Sequence, residues 1–312
     1  MTEEAFRKCL SPVDRRVDAV LDTDTYNEID DQFALAYMIR SNDRINLKAI
    51  YAAPFYNSNS ISPADGMEKS YNEIFNVLEL MDEQELKNSV FKGSDRYLEN
   101  ESAPVISDAA NDLAKRAMEY TEDDPLYVVA IGAITNVASA LLINPLIKDR
   151  IVIVWLGGHG YHMEHTKEFN MFQDIAAARV VFDSCAPVVQ FPCKGVVSAF
   201  TVSGDDMRQR LYGKNKLCDY LVTHTENEVS RYVPDGKAWS RVIWDVTAVA
   251  WLTSAENGKT RFFEYKHVSS PICGYDGKYT FDEKRHKIAY VSFINRDQRD
   301  QLFRDLIEKL TK

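Results

Sequence analysis

The sequence is poor in positive charge, in paired cysteines and in long apolar runs. Its 312 residues carry 37 Lys and Arg against 47 Asp and Glu, which gives a formal charge of −10. Because phosphate backbones and anionic lipid surfaces need a basic face, this balance argues against a nucleic-acid or membrane partner. The five cysteines are scattered and form no C-x-x-C pair, so the sequence contains no recognisable zinc or disulfide framework. No apolar run reaches the roughly 18 residues that a membrane-spanning helix needs.

The first ten residues, MTEEAFRKCL, are charged and lack the apolar segment of a signal peptide. Together with the cysteine usage, this predicts a cytoplasmic location. Hydrophobic residues make up 45% of the chain and charged residues 27%, as in ordinary globular proteins, which argues against extensive disorder. The length fits one large α/β domain or two domains of ordinary size.

Apolar, strand-like runs alternate with helical patterns along the chain. The predicted strands are Val17–Leu21, Leu47–Tyr51, Leu126–Ile131, Ile151–Leu156, Pro187–Phe191, Phe262–His267 and Lys287–Phe293. The predicted helices are Gln32–Ile39, Met67–Met81, Ile106–Tyr120, Asn136–Leu142, Asp174–Phe182, Asp205–Tyr212, Leu217–Tyr232, Asp245–Leu252 and Arg296–Leu310. Unbroken runs such as IVIVWL are typical of strands buried on both faces. The alternation predicts an α/β fold with a mostly parallel sheet, in which ligands bind beyond the carboxyl ends of the strands.

The most acidic segment of the chain directly follows the first predicted strand. Asp22–Asp31 contains five carboxylates in ten residues. So many neighbouring acids repel one another unless a cation lies among them, and carboxylate oxygens suit a hard ion such as Ca²⁺ or Mg²⁺. The alternative is an acidic turn at the start of a helix, because negative charge is favoured there. The clustering at the end of a central strand favours the cation site.

Three further polar segments follow later strands or open a late helix. They are Gly132 with Thr135 and Asn136, Glu168-Phe169-Asn170, and Trp244-Asp245. Taken singly, each is explained by an ordinary turn, a helix cap or a core aromatic residue. The spacing of His159, His162 and His165 is compatible with zinc, but the sequence has no second His-rich segment. A flexible Gly/His loop is therefore the simpler interpretation.

In this order, the four segments resemble the inosine–uridine nucleoside hydrolase family. The resemblance runs from about Val17 to Leu252 and rests on D-T-D with the later D-D pair, on G-x-x-T-N and on E-F-N. It implies a single Rossmann-like α/β domain over residues 1–312, in which helices flank a mostly parallel sheet and the C-terminal portion is helical. Residues 17–200 would form the sheet core, 201–260 a helical part lining the site, and 261–312 a C-terminal hairpin and helix.

The resemblance also implies one tightly bound Ca²⁺ at the carboxyl edge of the sheet. Its protein ligands would be the backbone carbonyl of Ile131 and the carboxylates of Asp24, Asp31 and Asp245. Asp24 would also act as the general base on the attacking water. The residues toward the substrate would be Asp30 and Asn170 at the ribose, Glu168 at the 5′ side, Asn57 as a ribose-binding Asn, and His162 near the position of the family's 5′-binding Asn.

Two features depart from the family pattern. The turn Thr25–Ile29 is two residues longer than usual and carries an extra acid, Glu28, so we expect a different first turn and a different ribose contact for Asp30. Many members also have His before the last metal-binding Asp, where it serves as an acid toward the leaving base. This chain has Trp244, which is similar to the purine-preferring branch and would stack on the base, so the resemblance suggests purine nucleosides.

From this resemblance we expect a calcium-dependent hydrolase that cleaves the N-glycosidic bond of ribonucleosides. Its carboxylates would stabilise the positive charge that develops on the ribosyl ring. A small-molecule nucleoside would be its partner, and the family suggests a homodimer or homotetramer. One alternative is a non-catalytic ribose- or calcium-binding protein of the same fold. Another is a haloacid-dehalogenase-like phosphatase with Asp22 and Asp24 as its acid pair, although Tyr26 stands where that motif has Thr or Val.

Overall fold

A computed structural model of the chain describes residues 1–234, 236–257 and 259–312. Its strands are β1 (Val17–Thr23), β2 (Ile45–Ala52), β3 (Val90–Lys92), β4 (Leu126–Ala130), β5 (Ile151–Leu156), β6 (Val188–Phe191), β7 (Thr201–Ser203), β8 (Ser240–Val242), β9 (Ala255–Glu256), β10 (Lys259–Thr260), β11 (Glu264–Ser269), β12 (Ile272–Cys273), β13 (Tyr279–Thr280) and β14 (Lys287–Phe293). Its α-helices are α1 (Glu3–Cys9), α2 (Asp30–Arg40), α3 (Pro63–Leu80), α4 (Asp108–Arg116), α5 (Thr135–Ile143), α6 (Phe169–Gln173), α7 (Ile175–Asp183), α8 (Gly204–Leu211), α9 (Lys216–Val229), α10 (Val246–Ala250) and α11 (Arg296–Leu310). Short 3₁₀ helices lie at Glu85–Ser89, Ala117–Glu119, Pro145–Asp149, Val197–Ala199 and Trp251–Thr253.

Eight of these strands form one sheet in the order β11-β14-β6-β5-β4-β1-β2-β3. All neighbouring strands run parallel except β11 and β14, which are antiparallel. From β1 the chain continues outward to β2 and β3, whereas from β4 it continues in the opposite direction to β5 and β6. The strand order therefore reverses between β1 and β4, and open α/β sheets bind their ligands at such a switch point.

The central strands are apolar because both of their faces are covered. Every residue of β4 and β5 is buried. Alternate side chains point to opposite faces, so Val129 and Val154 pack in one cluster with α2, while Val128 and Ile153 pack in another with α5. Burial of each such side chain stabilises the fold by about 1.5–3 kcal/mol. The predicted α/β class with a mostly parallel, helix-flanked sheet is confirmed.

Hydrophobic patterning predicts the long elements well and the short ones poorly. Each predicted strand and helix is present within a few residues of its predicted bounds. The hydroxyl of Ser107 accepts a hydrogen bond from the backbone N–H of Ala110 (3.1 Å), so Ser107 is the N-cap of α4, as predicted. The helix predicted to reach Tyr120 ends at Arg116 and continues as a 3₁₀ turn. The short strands β3, β7 and β8 are not predicted, because three residues hold no periodic pattern.

Residues 261–312 complete one side of the main sheet. β14 pairs in parallel with β6, and β11 pairs antiparallel with β14 at the edge. The loop between them forms the small hairpin β12–β13, whose turn includes Gly277 at φ +78°. Within the described ranges, no helix has both the length and the apolar character needed to cross a lipid bilayer.

Candidate active site at the switch point of the sheet

A cavity of about 260 Å³ opens at the carboxyl edge of the sheet. Ile131, the residue after β4, lines this cavity, and its backbone N–H donates to the carbonyl of Asp22 on β1 (2.9 Å). The cavity therefore lies at the switch point between β1 and β4. Further lining residues come from the turn before α2, the loop after β5, the segment after β6 and the start of α10: Glu28, Asp30, Asp31, His159, Glu168, Asn170, Cys193, Lys194, Trp244 and Asp245.

Three buried aspartates converge at one end of this cavity. Asp30, Asp31 and Asp245 each place a carboxylate oxygen so that the three atoms lie within 4.8 Å of one another. Asp30 and Asp31 form the first turn of α2, where the helix dipole favours acids, and Asp245 precedes α10. The hydroxyl of Thr23 donates to Oδ1 of Asp31 (2.6 Å), and the backbone N–H of Asp245 donates to Oδ2 of Asp30 (3.4 Å). Two predicted metal ligands, Asp31 and Asp245, are thus adjacent although 214 positions separate them.

Asp24 lies next to these aspartates but does not line the cavity. It is fully buried, and neither of its carboxylate oxygens accepts a hydrogen bond from any residue in the described part of the chain. Its carboxylate packs against Gly132: a Cβ at that position would lie 2.8 Å from Oδ1 of Asp24. Position 132 therefore requires glycine, because the side chain of any larger residue would collide with the Asp24 carboxylate.

The electrostatics of the cluster favour protonation in the absence of a counter-charge. Burial, followed by the negative charge of Asp31, raises the pKa of Asp24 well above its usual range. Burial and the neighbouring aspartates do the same to the pKa of Asp245, and burial with the charge of Glu28 raises the pKa of Asp30 to about 6. Carboxylates that are buried, clustered and short of hydrogen-bond donors fit a hard divalent cation, because such an ion would supply the missing positive charge.

The predicted ribose residue Asn170 ties two strand ends together. Its side-chain amide donates to the carbonyl of Ile131 (3.0 Å) and to the carbonyl of Leu156 (3.1 Å). Both amide hydrogens are used in this way, so only Oδ1 is left to accept a hydrogen bond from a ligand. The Ile131 carbonyl accepts one hydrogen bond from Asn170 and retains a second lone pair for the metal contact implied by the resemblance.

Glu168 lines the cavity and also caps α6. Its carboxylate accepts hydrogen bonds from the backbone N–H groups of Gly158 (2.8 Å), Asn170 (3.0 Å) and Met171 (3.0 Å). Burial raises the pKa of Glu168 to about 7 despite these donors. The E-F-N motif therefore has a structural function, since Glu168 fixes the backbone that carries Asn170.

Two predicted substrate residues do not line this cavity. Asn57 is separated from the cavity by Asn27, which lines the wall. The side-chain amide of Asn57 donates to Oδ1 of Asn27 (2.5 Å). His162 is exposed, and its ring lies over Gly160 and Gly195. Trp244 does line the cavity, directly before Asp245, and is half-buried against the apolar core.

Several cavity residues are missed by the sequence patterns. Lys167, Cys193 and Lys194 line the cavity but belong to none of the sequence motifs, and His159 and Phe169 line it although neither is predicted to contact a ligand. The H-x-x-H-x-x-H spacing does mark the right loop, but it does not indicate which ring turns inward. Gly158 has φ +79° and turns the chain directly before His159, which is only 3% exposed.

The polar residues of the G-x-x-T-N segment form hydrogen bonds beneath the cavity and do not line it. The amide of Asn136 donates to Oδ1 of Asp22 (2.8 Å) at the end of β1, and its Oδ1 accepts from the backbone N–H of Ser94 (2.7 Å). The hydroxyl of Thr135 donates to Oδ2 of Asp174 (2.7 Å). These contacts tie the end of β1 to the loop at Ser94 and tie α5 to Asp174, and neither Thr135 nor Asn136 lines the cavity.

Arg241 holds the lengthened turn in place. Its guanidinium forms ion pairs with Glu28 of the turn (2.7 Å) and with Glu228 of α9 (3.1 Å), and its side chain is only 11% exposed. The partners are 213 and 13 positions away, so no local pattern indicates the contact. The extra acid of the long turn is therefore neutralised by a residue of β8, and the turn is tied to the segment that leads to Trp244.

We expect Arg241→Ala to destabilise the protein by roughly 2–3 kcal/mol, because it leaves two partly buried glutamates facing each other without a counter-charge. Urea denaturation would measure the change in the free energy of unfolding. Arg208→Ala is the matched control, since it removes a more exposed pair with Glu226 (2.8 Å) and should cost less than about 1 kcal/mol. Equal losses in the free energy of unfolding would show that the ion pairs of Arg241 stabilise the protein no more than the exposed pair of Arg208.

Comparison with known proteins gives a consistent result. The family model described as inosine-uridine preferring nucleoside hydrolase matches residues 19–298. The inosine-uridine preferring nucleoside hydrolase of Leishmania major is 40% identical over 65 residues, which cover 20% of this chain and 21% of that protein. The alignment thus spans about a fifth of that relative's length.

Solved structures resemble the chain over nearly its whole length. A plant nucleoside hydrolase, PpNRh1, has a TM-score of 0.72 at 17% identity, covering 95% of this chain and 99% of that one. A purine-preferring ribonucleoside hydrolase from Gardnerella vaginalis has a TM-score of 0.70 at 19% identity, covering 94% and 98%. At these identities the likeness establishes a shared fold.

Proposed function

Because this chain belongs to the inosine-uridine preferring nucleoside hydrolase family, we propose that it hydrolyses the N-glycosidic bond of ribonucleosides with the help of a calcium ion. The observation that supports this most directly is the buried Asp24 carboxylate without hydrogen-bond donors, beside the cluster of Asp30, Asp31 and Asp245. Such a concentration of acids is costly unless a ligand uses it.

The proposed calcium ligands are Asp24, Asp31, Asp245 and the carbonyl of Ile131. Calcium accepts many oxygen ligands in flexible geometry, whereas magnesium requires near-ideal octahedral geometry and is usually held by one or two carboxylates, so a site with three carboxylates and a carbonyl favours calcium. When bound, the ion would lower the pKa of a water molecule and offset the charge of the aspartates.

The residues of the chain then have separate tasks. Asp24 accepts the proton of the attacking water. Asp30 accepts a hydrogen bond from a ribose hydroxyl, and Asn170 does so through Oδ1, its one unused polar atom. The aspartates are fixed in advance by Thr23 and the start of α2, so their negative charge stabilises the positive charge that develops at the anomeric carbon. Glu168 lies at the 5′ side of the ribose.

Trp244 is proposed to stack on the leaving base and to favour purines. We expect Trp244→Ala to lower kcat/KM for inosine about tenfold and to change that for uridine much less, because a two-ring base offers more area for stacking. Initial rates on the two nucleosides, followed by release of reducing sugar, would measure the difference. Trp244→Phe, which keeps an aromatic face, should recover part of the loss. An equal loss on both substrates would contradict the stacking role.

A nucleoside panel tests the proposed function as a whole. Inosine, guanosine, adenosine and uridine are incubated with the protein, with and without a calcium chelator, and reducing sugar is measured. Calcium-dependent release supports the proposal. Calcium or ribose binding without any turnover would instead support a non-catalytic protein of the same fold. A phosphatase is disfavoured because Asp22 is fully buried and accepts a hydrogen bond from Asn136, so it is not placed as a nucleophile.

A further inference from the structure

Basic groups line the same cavity as the acids. Lys167 directly precedes Glu168. His159 lies in the loop after β5, and Lys194 lies in the loop after β6. Within the described ranges, neither lysine ammonium has a carboxylate within ion-pair distance, whereas Arg241 beside the cavity is paired with Glu28 and Glu228. Both lysine side chains are exposed, and together they bring two positive charges to the mouth of one cavity in a protein with a formal charge of −10.

His159 presents a hydrogen-bond donor to the cavity. The backbone N–H of Lys194 lies 3.4 Å from Nδ1 of His159, which therefore acts as the acceptor. A neutral ring with Nδ1 as acceptor carries its hydrogen on Nε2. Burial, followed by the positive charge of Lys194, lowers the pKa of His159 to about 4, so the ring is neutral at pH 7.

The stem of Lys167 is held in place by packing. Its ammonium lies 5.5 Å from the centroid of the Phe172 ring, and its methylene groups lie over Gly277, where a Cβ would come within 2.6 Å of Lys167 Cγ. Ordering a lysine normally costs side-chain entropy, and a packed stem has already lost part of it. Lys167 is thus better prepared than a free surface lysine to bind an anion.

Two of the acidic residues that line the cavity have partners that reduce their repulsion of an anion near Lys167 and Lys194. Glu28 is paired with Arg241, and Glu168 is surrounded by three backbone N–H groups. The proposed divalent cation would offset two of the four negative charges of Asp24, Asp30, Asp31 and Asp245. Lys167 and Lys194 therefore bring two positive charges without an ion-pair partner to the cavity among the described residues, and His159 adds a neutral hydrogen-bond donor.

We propose that the preferred substrate carries a phosphate on the 5′ side of its ribose, so that the chain hydrolyses ribonucleoside 5′-phosphates faster than plain nucleosides. This inference rests on the proposed function, because it takes Glu168 as the marker of the 5′ side. Lys167 and Lys194 supply charge to the phosphate oxygens, and the Nε2–H of His159 supplies a directed hydrogen bond.

The first experiment measures binding without turnover. Ribose 5-phosphate and ribose are titrated into the calcium-loaded protein by calorimetry. We expect the phosphate to bind at least about tenfold more tightly, and this preference should disappear in Lys167→Gln/Lys194→Gln, because each lost charge-assisted contact is worth about tenfold. Lys284→Gln, an exposed lysine outside the cavity, is the matched control and should keep the preference. Equal affinity for the two sugars in the wild-type protein would overturn the inference.

The second experiment compares turnover of inosine 5′-monophosphate and inosine. The ratio of their kcat/KM values should exceed about ten in the wild-type protein and fall toward one in the double lysine variant. His159→Phe should lower the same ratio, and His159→Gln, which retains an N–H donor, should restore part of it. Hydrolysis of inosine with no advantage for the phosphate overturns this inference alone. Phosphate-selective binding without hydrolysis of either compound overturns the proposed function alone.

Discussion

Asp24→Asn is expected to lower kcat by about 10³-fold or more, because it removes the proposed general base and one charged calcium ligand at once. Asn has the same shape as Asp, so the β1 end and its contact with Gly132 should survive. The same variant should raise the melting temperature in the presence of a chelator, since a buried carboxylate without donors destabilises the calcium-free protein.

The two readouts of this variant separate catalysis from folding. A merely misfolded protein would lose both activity and stability, whereas loss of the base predicts lower activity with higher calcium-free stability. Asp18→Asn is the matched control, because Asp18 lies at the opposite end of β1 and bonds to Asn46 and Tyr120 away from the cavity. Its kcat should stay within about twofold of the wild-type value. Wild-type rates for Asp24→Asn would refute the role of Asp24 as general base.

Calcium is expected to stabilise the fold strongly, and more at pH 8 than at pH 5. The buried acids of the site have folded-state pKa values above their unfolded values, with Asp30 at about 6. Without a cation, their contribution to stability is fully present below about pH 4 and is lost as the pH rises through the folded pKa. For Asp30 alone the loss is about 3 kcal/mol.

A bound cation removes this penalty, so its stabilising effect grows with pH. Calcium at about 100 times its dissociation constant would add about 2.7 kcal/mol from mass action alone. Melting curves with calcium or with a chelator, recorded at pH 5 and pH 8, would measure both effects, and magnesium is the matched control ion. The same shift at both pH values, or a shift with magnesium equal to that with calcium, would contradict the assignment.

The architecture and the acidic end of the site follow from general rules. Unbroken runs such as LYVVAI and IVIVWL predict buried parallel strands, and the polar residues after them fall at the carboxyl edge because parallel strands all end there. Asp24 and Asp31, which follow β1, could be placed at that edge by this rule, whereas Asp245 opens α10 and was assigned to the same site only through the family resemblance. The functional assignment of each residue came from resemblance to a family and not from the pattern of residues.

The remaining features depend on contacts between distant parts of the chain. Arg241 and Glu28 are 213 positions apart, one on the three-residue strand β8 and the other in a turn, so nothing in either neighbourhood indicates their ion pair. His159 enters the cavity and His162 does not, although the spacing treats them alike. The difference lies in the backbone turn at Gly158, whose positive φ is a property of the folded loop. Asn57, similarly, is separated from the cavity by Asn27, which no alignment of motifs would show.

The place of β14 in the sheet has a consequence for how the polypeptide is made. β6 lies between β5 and β14, yet almost a hundred residues separate β6 from β14 along the chain. During synthesis the edge of β6 is therefore left open while that stretch emerges from the ribosome, and its sequence, VVQF, is mostly apolar. Strand edges without a partner can pair with other chains and cause aggregation. The nascent chain is therefore prone to aggregate until Lys287–Phe293 pairs with β6. Pairing of β14 with β6 thus prevents the β6 edge from pairing with other chains.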